Sequence, residues 1–558
     1  MKYIYKIITY SFLAIGCLFL NNCQDDFLEQ DIRSISGPDV IYSDLEGLEA
    51  GLNGIYATVR YQRGGIGDGG SNDPRIDPMM TGTDILYVNR ERDRTRFLND
   101  WGSELLSNDA RSQIDQIWQW LYEVIASTNQ IISRAGVLSE NELSEDDRNR
   151  VIAEARMMRA WAYRHLTYMF GDVPLNIEEI TSPRLDWERD PVEVIYDQMQ
   201  NDLEFAAAHL PEEHINDGKV IKAVAQHYLA ELLIIREDFI GAIAAAQGAI
   251  DGPRALITER FGAAADQPGT VFSDIFQVGN ANPSDGNTEV LWVFQNDLLL
   301  RDLGGNGGNI MRRWFGSEYG TASGNGLNLA ITVERGGRGL NLSSATKFAL
   351  DLYRDENGNV IDERGDGNIW RTYFVIIQED LDNNGGVYSY NGVSYGVGDT
   401  LFLDVQSVEQ EQDRTRPYTR KWDWTHEGNL TESRNFDDLI HLRLADTYLL
   451  LAEAQLKNGD ASSAAETINV LRRRANAPEI TAEDVDIDYI LDERARELFT
   501  EEERRYTLLR TNKWVERTNL HNTIASGQID PSRDVLYPIP QSFIDSNLEV
   551  EIKNNPGY

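Results

Sequence analysis

The sequence predicts a mostly α-helical protein that carries one long loop-rich insertion. Apolar residues recur three and four positions apart on both sides of this insertion, which is the spacing of amphipathic helices. Between these regions glycine, asparagine and aspartate are dense, and only short strand-like runs interrupt them. The insertion covers residues 252–435, and the predicted helices lie in 45–60, 114–135, 154–170, 191–210 and, with breaks, 439–517.

Helix-ending and helix-starting residues mark the N-terminal helices. The first two have apolar positions at Leu48, Leu52, Ile55 and Val59, and at Ile117, Trp118, Leu121, Ile125 and Ile132. The third ends at Gly171-Asp172-Val173-Pro174, because glycine and proline interrupt the helical pattern. Pro191 starts the fourth helix, since proline is tolerated in a first turn, and Pro211 stops it.

One pair of helices occurs twice in the sequence. In both copies a Leu-Ala-Glu motif is followed at the same spacing by aspartate and then alanine, at Leu229, Ala230, Glu231, Asp238 and Ala242, and at Leu451, Ala452, Glu453, Asp460 and Ala464. Small residues on the second helix allow it to approach the first closely. The pattern resembles the tetratricopeptide unit, whose hairpins stack to bury a shared core. The alternative is two unrelated hairpins, and no regular solenoid is predicted.

The insertion is marked by glycine-rich runs. They occur at Gly304-Gly305-Asn306-Gly307-Gly308, Gly336-Gly337-Arg338-Gly339 and Asn383-Asn384-Gly385-Gly386. Short strands are expected at 290–294 and 373–377. The tail from Tyr537 to Tyr558 is expected to be extended, because each of its early prolines removes a backbone donor and disfavours helix before it.

A short basic and apolar leader opens the chain. Lys2 and Lys6 precede an apolar run over 7–20, which has the proportions of a secretory signal and is short for a bilayer span. Cys23 follows this run, so cleavage and lipid attachment at Cys23 would tether an exported protein to a membrane. Two alternatives stay open, namely attachment at Cys17 and an ordinary secretory signal with an incidental cysteine.

Composition excludes several classes of protein. The chain has 558 residues, 41% of them hydrophobic, which is enough for a substantial core. The formal net charge of -39 argues against a nucleic-acid partner, whose binding depends on neutralised phosphates. It favours neutral ligands over polyanions unless a local basic patch overrides it. Cys17 and Cys23 are the only cysteines, so the mature body has no internal disulfide or cysteine-based metal site.

Five sequence blocks, taken in order, resemble one known family. They are Cys23 to Glu29; Glu154 to Tyr163 with Phe170 to Leu175; Arg443-Leu444-Ala445 with Leu451 to Ala454, Asn469 and Arg472; Asp492-Glu493-Arg494 with Glu497-Leu498, Glu501 and Leu509-Arg510; and Pro538-Ile539-Pro540 with Asn555-Pro556-Gly557-Tyr558. Together they resemble the SusD/RagB family of outer-membrane nutrient-binding lipoproteins, over essentially the whole mature chain. Before its Leu-Arg pair the family usually has an aromatic residue, an aspartate and a leucine. This sequence has Tyr506-Thr507-Leu508 there, with threonine in place of aspartate.

The resemblance implies both an architecture and a function. It implies that 23–251 and 436–558 pack as one SusD-like helical domain, that 252–435 is a ligand-binding insertion, and that 1–22 is the removed leader. It implies a non-enzymatic protein, without a cofactor, that captures oligosaccharides or less often peptides. The partner would be a SusC-type TonB-dependent transporter in the outer membrane, with the lipid-anchored protein facing the exterior. Asp25 and Asp26 fit that display.

Two other functions remain alternatives. One is an exported hydrolase of carbohydrate or peptide, although no H-E-x-x-H or G-x-S-x-G motif occurs. The other is a helical scaffold that binds no small ligand.

Candidate sugar-binding residues are aromatic and polar side chains near glycine-rich or loop segments. Flat aromatic faces stack on sugar rings, and amide or guanidinium groups bind the hydroxyls. We expect an exposed platform in the insertion and a second contribution from the loop before the second helix, where the family often builds its site. Packing in the core is the alternative for each residue. The candidates are Tyr61, Tyr87, Asn99, Trp101, Arg312, Trp314 and Tyr319.

A partial calcium-loop pattern occurs late in the insertion. Asp380, Asp382 and Asn384 have the spacing of the first ligands of such a loop. Asn391 stands at the twelfth position, where the bidentate glutamate would be required. A flexible acidic turn is the alternative.

Two further motifs are expected to be solvated loops. Gly65 to Gly70 matches G-x-G-x-x-G but follows a helix instead of a strand, so no dinucleotide-binding unit surrounds it. Arg90 to Arg96 alternates in charge sign, which is typical of a self-neutralised segment, and binding of an acidic sugar is the alternative.

Overall fold

Helices joined by loops and short two-stranded sheets make up the protein. The computed structural model describes residues 37–64, 76–89, 95–102, 105, 107–297, 308–320, 327–403, 415–432 and 434–558. The fold class predicted from the sequence is confirmed. Within the described residues, no helix is both apolar enough and long enough for a membrane span.

The helices concentrate on both sides of the insertion. In chain order they are α1 (Pro38–Ile41), α2 (Leu45–Val59), α3 (Tyr61–Gly64), α4 (Asp77–Met80), α5 (Asn108–Val137), α6 (Glu145–Phe170), α7 (Val192–His209), α8 (Lys222–Ile235), α9 (Phe239–Ile250), α10 (Val271–Asp274), α11 (Met311–Phe315), α12 (Lys347–Asp351), α13 (Gln378–Asn383), α14 (Leu444–Lys457), α15 (Ala461–Arg474), α16 (Ile487–Leu498), α17 (Arg504–Arg510), α18 (Trp514–His521) and α19 (Gln541–Ser546).

Side-chain caps fix where the second helix of each repeated pair begins. Asp238 accepts a hydrogen bond from the Gly241 N–H at 2.9 Å, and Asp460 accepts one from the Ser463 N–H at 2.9 Å. Each bond satisfies a backbone donor that the first helical turn leaves without an intrahelical partner. The aspartate of the repeat is therefore the N-cap of α9 and of α15.

The two repeated pairs pack against each other. Helix α9 lies against α8 and also against α14, and one apolar cluster joins these helices. Small side chains on α9 allow this close approach, so the hairpins stack as the sequence predicts. The cluster comprises Ala230, Leu233, Ile234, Ala242, Ala245, Ala246, Leu450, Leu451 and Ala454.

A buried arginine joins the repeated glutamates. Arg510 donates to Glu231 at 2.9 Å and to Glu453 at 2.7 Å, and none of the three side chains is more than 4% exposed. Each copy of the repeat therefore supplies one carboxylate to a shared cation. This ion triad ties α17 to both helix pairs.

A larger ionic network surrounds α16. Glu497 accepts from Arg364 at 2.9 Å and from Arg443 at 3.0 Å, and Glu493 accepts from Arg472 at 2.8 Å. Buried charges are tolerated when they are paired and hydrogen-bonded. The block from Asp492 to Glu501 is thus a structural core of ion pairs.

The described strands pair antiparallel in twos. They are β1 (Leu86–Val88), β2 (Val290–Phe294), β3 (Ser343–Ala345), β4 (Trp370–Arg371), β5 (Tyr373–Val375), β6 (Tyr388–Tyr390), β7 (Val393–Tyr395), β8 (Thr400–Phe402), β9 (Tyr418–Thr419) and β10 (Leu439–Arg443). The pairs are β1–β3, β2–β10, β4–β9, β5–β8 and β6–β7. In β2–β10, Val293 lies opposite Ile440, and β10 continues directly into α14. The insertion is thereby connected to the helical scaffold.

The final residues dock at the end of α6. The Asn555 amide donates to the carbonyl of Phe170 at 3.0 Å and to that of Tyr537 at 2.7 Å. Gly557 has a φ of +90°, a conformation that glycine adopts without strain. The closing motif therefore holds the tail against the turn at Gly171.

Candidate ligand-binding cleft

Trp314 and Tyr319 lie in the interior, with exposed fractions of 2% and 1%. The Trp314 indole N–H donates to Asp77 at 3.0 Å, and the Tyr319 hydroxyl donates to the Gly337 carbonyl at 2.7 Å. The exposed aromatic platform predicted for this segment is therefore wrong. Residues distant in sequence bury both rings and bind their polar atoms.

Arg312 is also buried. Its guanidinium donates to the Thr425 hydroxyl at 2.6 Å and to the carbonyls of Asn429 at 3.1 Å and Glu432 at 2.8 Å. Burial lowers the pKa of Arg312 to about 10. The side chain of Arg312 is surrounded by protein and holds two loop segments together, so it is not part of an exposed platform, and its contact with a ligand stays a prediction.

The candidates in the early part of the chain have structural positions as well. Trp101 is fully buried among other aromatic rings. The Asn99 amide accepts from the Val88 N–H at 2.9 Å and donates to the Val88 carbonyl at 2.7 Å. Tyr87 is fully buried in β1, so these three residues lie in the core, and their contacts with a ligand stay predictions. Tyr61 is half-buried at the start of α3 and packs against the main core.

The calcium-loop segment is helical. Asp380 lies in α13 and accepts from Arg335 at 2.7 and 2.6 Å. Asp382 and Asn384 accept hydrogen bonds from other side chains. The predicted loop conformation is therefore wrong, and the described residues contain no group of three or more His, Cys, Asp or Glu side chains that suits a metal ion.

Some sequence predictions lie outside the described residues. These include lipid attachment at Cys23, with its alternative Cys17, and the motif from Gly65 to Gly70. Most of the segment from Arg90 to Arg96 also lies there. They stay predictions.

A cleft that the sequence analysis did not predict opens on both sides of Trp424. Two adjoining cavities, of about 230 and 220 Å³, share the walls Phe276, Gln277, Val278, Lys421 and Trp424. Trp424 is half-buried, and its indole N–H donates to the carbonyl of Lys421. A partly exposed indole held in place by its own N–H suits stacking against a ligand ring. We call this pair of cavities the Trp424 cleft.

Carboxylates and amides line the larger cavity of the Trp424 cleft. Asp438 accepts from the Asn282 amide at 2.8 Å and from the Asn296 N–H at 2.7 Å. The Asp437 Oδ2 atom is buried without a hydrogen-bond partner among the described residues. An aromatic wall beside carboxylates and amides is the composition expected for recognition of a ligand with many hydroxyls.

The two carboxylates of this wall favour a ligand that donates hydrogen bonds. Burial raises the pKa of Asp437 and that of Asp438, because each charged carboxylate loses hydration. The neighbouring charge of Asp438 adds to the effect on Asp437. A ligand hydroxyl that donates to Asp437 would restore part of the lost solvation.

A local pattern could have pointed to this cleft. Trp422 and Trp424 lie two residues apart in a loop, outside the glycine-rich runs. Both line the larger cavity, but Trp422 is buried and donates to the Thr500 hydroxyl at 2.8 Å, whereas Trp424 is half-buried. The close spacing of the two tryptophans is visible in the sequence, but only the structure shows which ring lies nearer the surface.

Two protein-family models match the chain. The one described as the SusD family matches residues 288–558, and the one described as starch-binding and associating with the outer membrane matches residues 77–229. The two matches together span well over half of the chain. The second description places its family at the outer membrane.

Curated relatives match over the full length. SusD-like protein P2 of Formosa agariphila is 25% identical over 97% of this chain and 98% of its own length. SusD-like protein P25 of the same organism is 24% identical over 100% of this chain and 99% of its own length.

Solved structures share the fold. A SusD homolog from Bacteroides thetaiotaomicron has a TM-score of 0.70 at 18% identity, covering 94% of this chain and 100% of its own. A laminarin-binding SusD-like protein has a TM-score of 0.66 at 20% identity, covering 93% and 100%. Surface glycan-binding protein A from Bacteroides thetaiotaomicron, in complex with laminarihexaose, has a TM-score of 0.68 at 18% identity, covering 91% and 99%.

The family models, the curated relatives and the shared fold agree with the ordered sequence blocks. The chain belongs to the SusD/RagB family.

Proposed function

We propose that this protein binds oligosaccharides at the Trp424 cleft and does not process them. The observation that carries the proposal is the partly exposed Trp424 ring, which lines two cavities beside the hydrogen-bonding groups of Asp437 and Asp438. Sugar rings present an apolar face to aromatic side chains and hydroxyls to carboxylates, so both parts of the cleft have a role.

The comparisons support a carbohydrate ligand. Two of the solved structures with this fold are described as binding laminarin or laminarihexaose. The relatives and structures named above are described as binding or SusD-like proteins. This favours binding over the alternative of hydrolysis.

We further propose that the protein is anchored through a lipid at Cys23 and faces the exterior of the outer membrane. There it delivers oligosaccharide to a SusC-type TonB-dependent transporter. The outer-membrane description of one matching family model supports this placement. The N-terminal leader supports the anchor.

Calorimetric titration of the purified protein with an oligosaccharide panel that includes laminarihexaose tests the binding proposal. Trp424→Ala should weaken binding of the best ligand by about 2 kcal/mol, roughly 30-fold, because a central aromatic contact is lost. The matched control is Trp187→Ala, another half-buried tryptophan, which packs under Arg184 away from the cleft.

Three results would contradict the binding proposal, and each would point to a different conclusion. Unchanged affinity of Trp424→Ala would remove the Trp424 cleft as the site. Shortened oligosaccharide products would instead establish a hydrolase. No heat with any sugar, together with recovery of the transporter in a pull-down, would favour the scaffold alternative.

A further inference from the structure

A second cleft lies between the end of α2 and strand β2. Its volume is about 510 Å³, and its walls include Arg60, Lys219, Trp292 and Gln295. This size is within the range of small-molecule sites. None of the ligand candidates taken from the sequence lies in it. We call it the Arg60 cleft.

Arg60 brings a positive charge to this cleft, and the carboxylate that acts on it electrostatically, Asp438, is not within salt-bridge distance. Its guanidinium donates to the Gln295 carbonyl, and it forms no salt bridge with any residue that the structure describes. Two buried arginines elsewhere in the chain, Arg443 and Arg510, are paired with carboxylates, whereas the buried Arg312 donates to a hydroxyl and to carbonyls. A guanidinium has five N–H donors, so Arg60 retains donors for a ligand.

The other charged groups of the cleft already have partners. Lys219 pairs with Glu49 at 3.1 Å and with Glu154 at 3.2 Å. Asp217 also lines the cleft, and its carboxylate accepts from both the N–H and the hydroxyl of Ser284. Arg60 is therefore the cation available to an incoming group.

The Arg60 cleft adjoins the Trp424 cleft. The Gln295 side chain, on the wall of the Arg60 cleft, donates to Asn282 at 2.7 Å, and Asn282 lines the Trp424 cleft. A hydrogen bond between two side chains thus connects the walls of the two clefts.

We propose that the Arg60 cleft binds the anionic substituent of an acidic sugar, which is either a uronate carboxylate or a sulfate ester. This sugar belongs to a glycan chain, and a neighbouring sugar of the same chain occupies the Trp424 cleft. The planar fork of an arginine matches both oxyanions and forms two parallel hydrogen bonds with either. The proposal that one glycan chain occupies both clefts rests on the proposed function, whereas the proposal that Arg60 binds an anion does not.

Titration with three monosaccharide probes tests the anion site by itself. The probes are glucuronate, glucose 6-sulfate and, as the neutral reference, methyl glucoside. At least one anion should bind roughly 10- to 100-fold more tightly than methyl glucoside, the gain expected for a charge-assisted hydrogen-bonded pair. Comparison of the two anions shows whether carboxylate or sulfate is preferred. If neither anion binds more tightly than methyl glucoside, the proposal is overturned.

Arginine variants locate the effect. Arg60→Met should remove the preference for the anion, and Arg60→Lys should retain part of it, because lysine keeps the charge but loses the fork. Arg184→Met, at an exposed arginine paired with Asp186, is the matched control. An anion preference that survives in Arg60→Met overturns the assignment, and the melting temperature of each variant shows whether it is folded.

The Trp424→Ala variant keeps this proposal separate from the proposed function. Loss of neutral oligosaccharide binding in Trp424→Ala with intact anion binding supports both proposals. Unchanged neutral binding in Trp424→Ala removes the proposed site, while anion binding lost in Arg60→Met still supports the anion site.

Discussion

The ion triad formed by Arg510 with Glu231 and Glu453 gives the sharpest test of how the two helix pairs are held together. Arg510→Met keeps most of the aliphatic volume and removes the charge. Glu231 retains Arg164 as a partner, whereas among the described residues the salt-bridge partner that remains to Glu453 is the half-buried Lys457 at 3.2 Å. The variant therefore leaves a buried carboxylate with much weaker compensation.

The size of the effect follows from burial. Removal of one partner of a buried ion pair costs about 3–5 kcal/mol, because the remaining charge stays desolvated. Burial alone would raise the pKa of Glu231, but Arg164 and then Arg510 offset this and hold the pKa at about 2, against 4.5 without these surroundings. The charged form of Glu231 therefore depends on both arginines, and the magnitude expected for loss of one of them is the low end of the range for a broken buried pair. We expect Arg510→Met to lower the free energy of unfolding by about 3 kcal/mol.

Urea unfolding followed by tryptophan fluorescence measures the change. Arg473→Met is the matched control, since Arg473 is 44% exposed and pairs with Glu466 and Glu479 on the surface. Surface pairs contribute about 1 kcal/mol or less, so this variant should change stability little. Adding Glu453→Gln to Arg510→Met should recover part of the loss, because the uncompensated charge is gone. A loss in Arg510→Met no larger than that in the control would refute the reasoning.

Two other predictions concern acid stability and the anchor. Paired arginines outweigh the effect of burial and hold the pKa of Glu231, of Glu493 and of Asp84 at about 2. The stabilisation that these carboxylates provide is therefore complete above about pH 4.5 and is lost as the pH falls towards 2. Melting temperatures recorded across this interval should fall with the pH, and a flat profile would contradict the assignment. The Cys23→Ala protein should lose incorporation of radiolabelled palmitate in the producing cell, and continued labelling would indicate Cys17.

The helical scaffold could be predicted because its signals are local. Apolar spacing, the caps Asp238 and Asp460 and the helix end at Gly171 are all contained in short stretches of sequence. The closing motif at Asn555 was also visible, although the carbonyls that it binds were not. What the sequence could not show is the convergence of Glu231 and Glu453 on one arginine, since these residues are separated by hundreds of positions.

The candidate site could not be predicted because burial in loops is set by distant residues. Trp314 and Tyr319 lie between glycine-rich runs and were expected to be exposed, yet Asp77 and the Gly337 carbonyl bind their polar atoms in the interior. Trp424 lies in a loop without a glycine-rich run beside it and is partly exposed. Residue type predicted that aromatic side chains of the insertion contact a ligand, but tertiary packing decides which of these rings is accessible to solvent.

The buried ion pairs also explain how a loop-rich insertion can present a fixed cleft. Lys421 lines both cavities beside Trp424, and its ammonium group donates to the Glu497 carbonyl at 2.8 Å and to Glu501. Burial lowers the pKa of Lys421 to about 8, and the charge of Glu501 opposes that effect. Since Glu501 also binds Arg443, where β10 meets α14, the floor of the cleft is bonded to the helical scaffold. The rigidity that a binding site needs is therefore supplied by the ion-pair core, not by the loops.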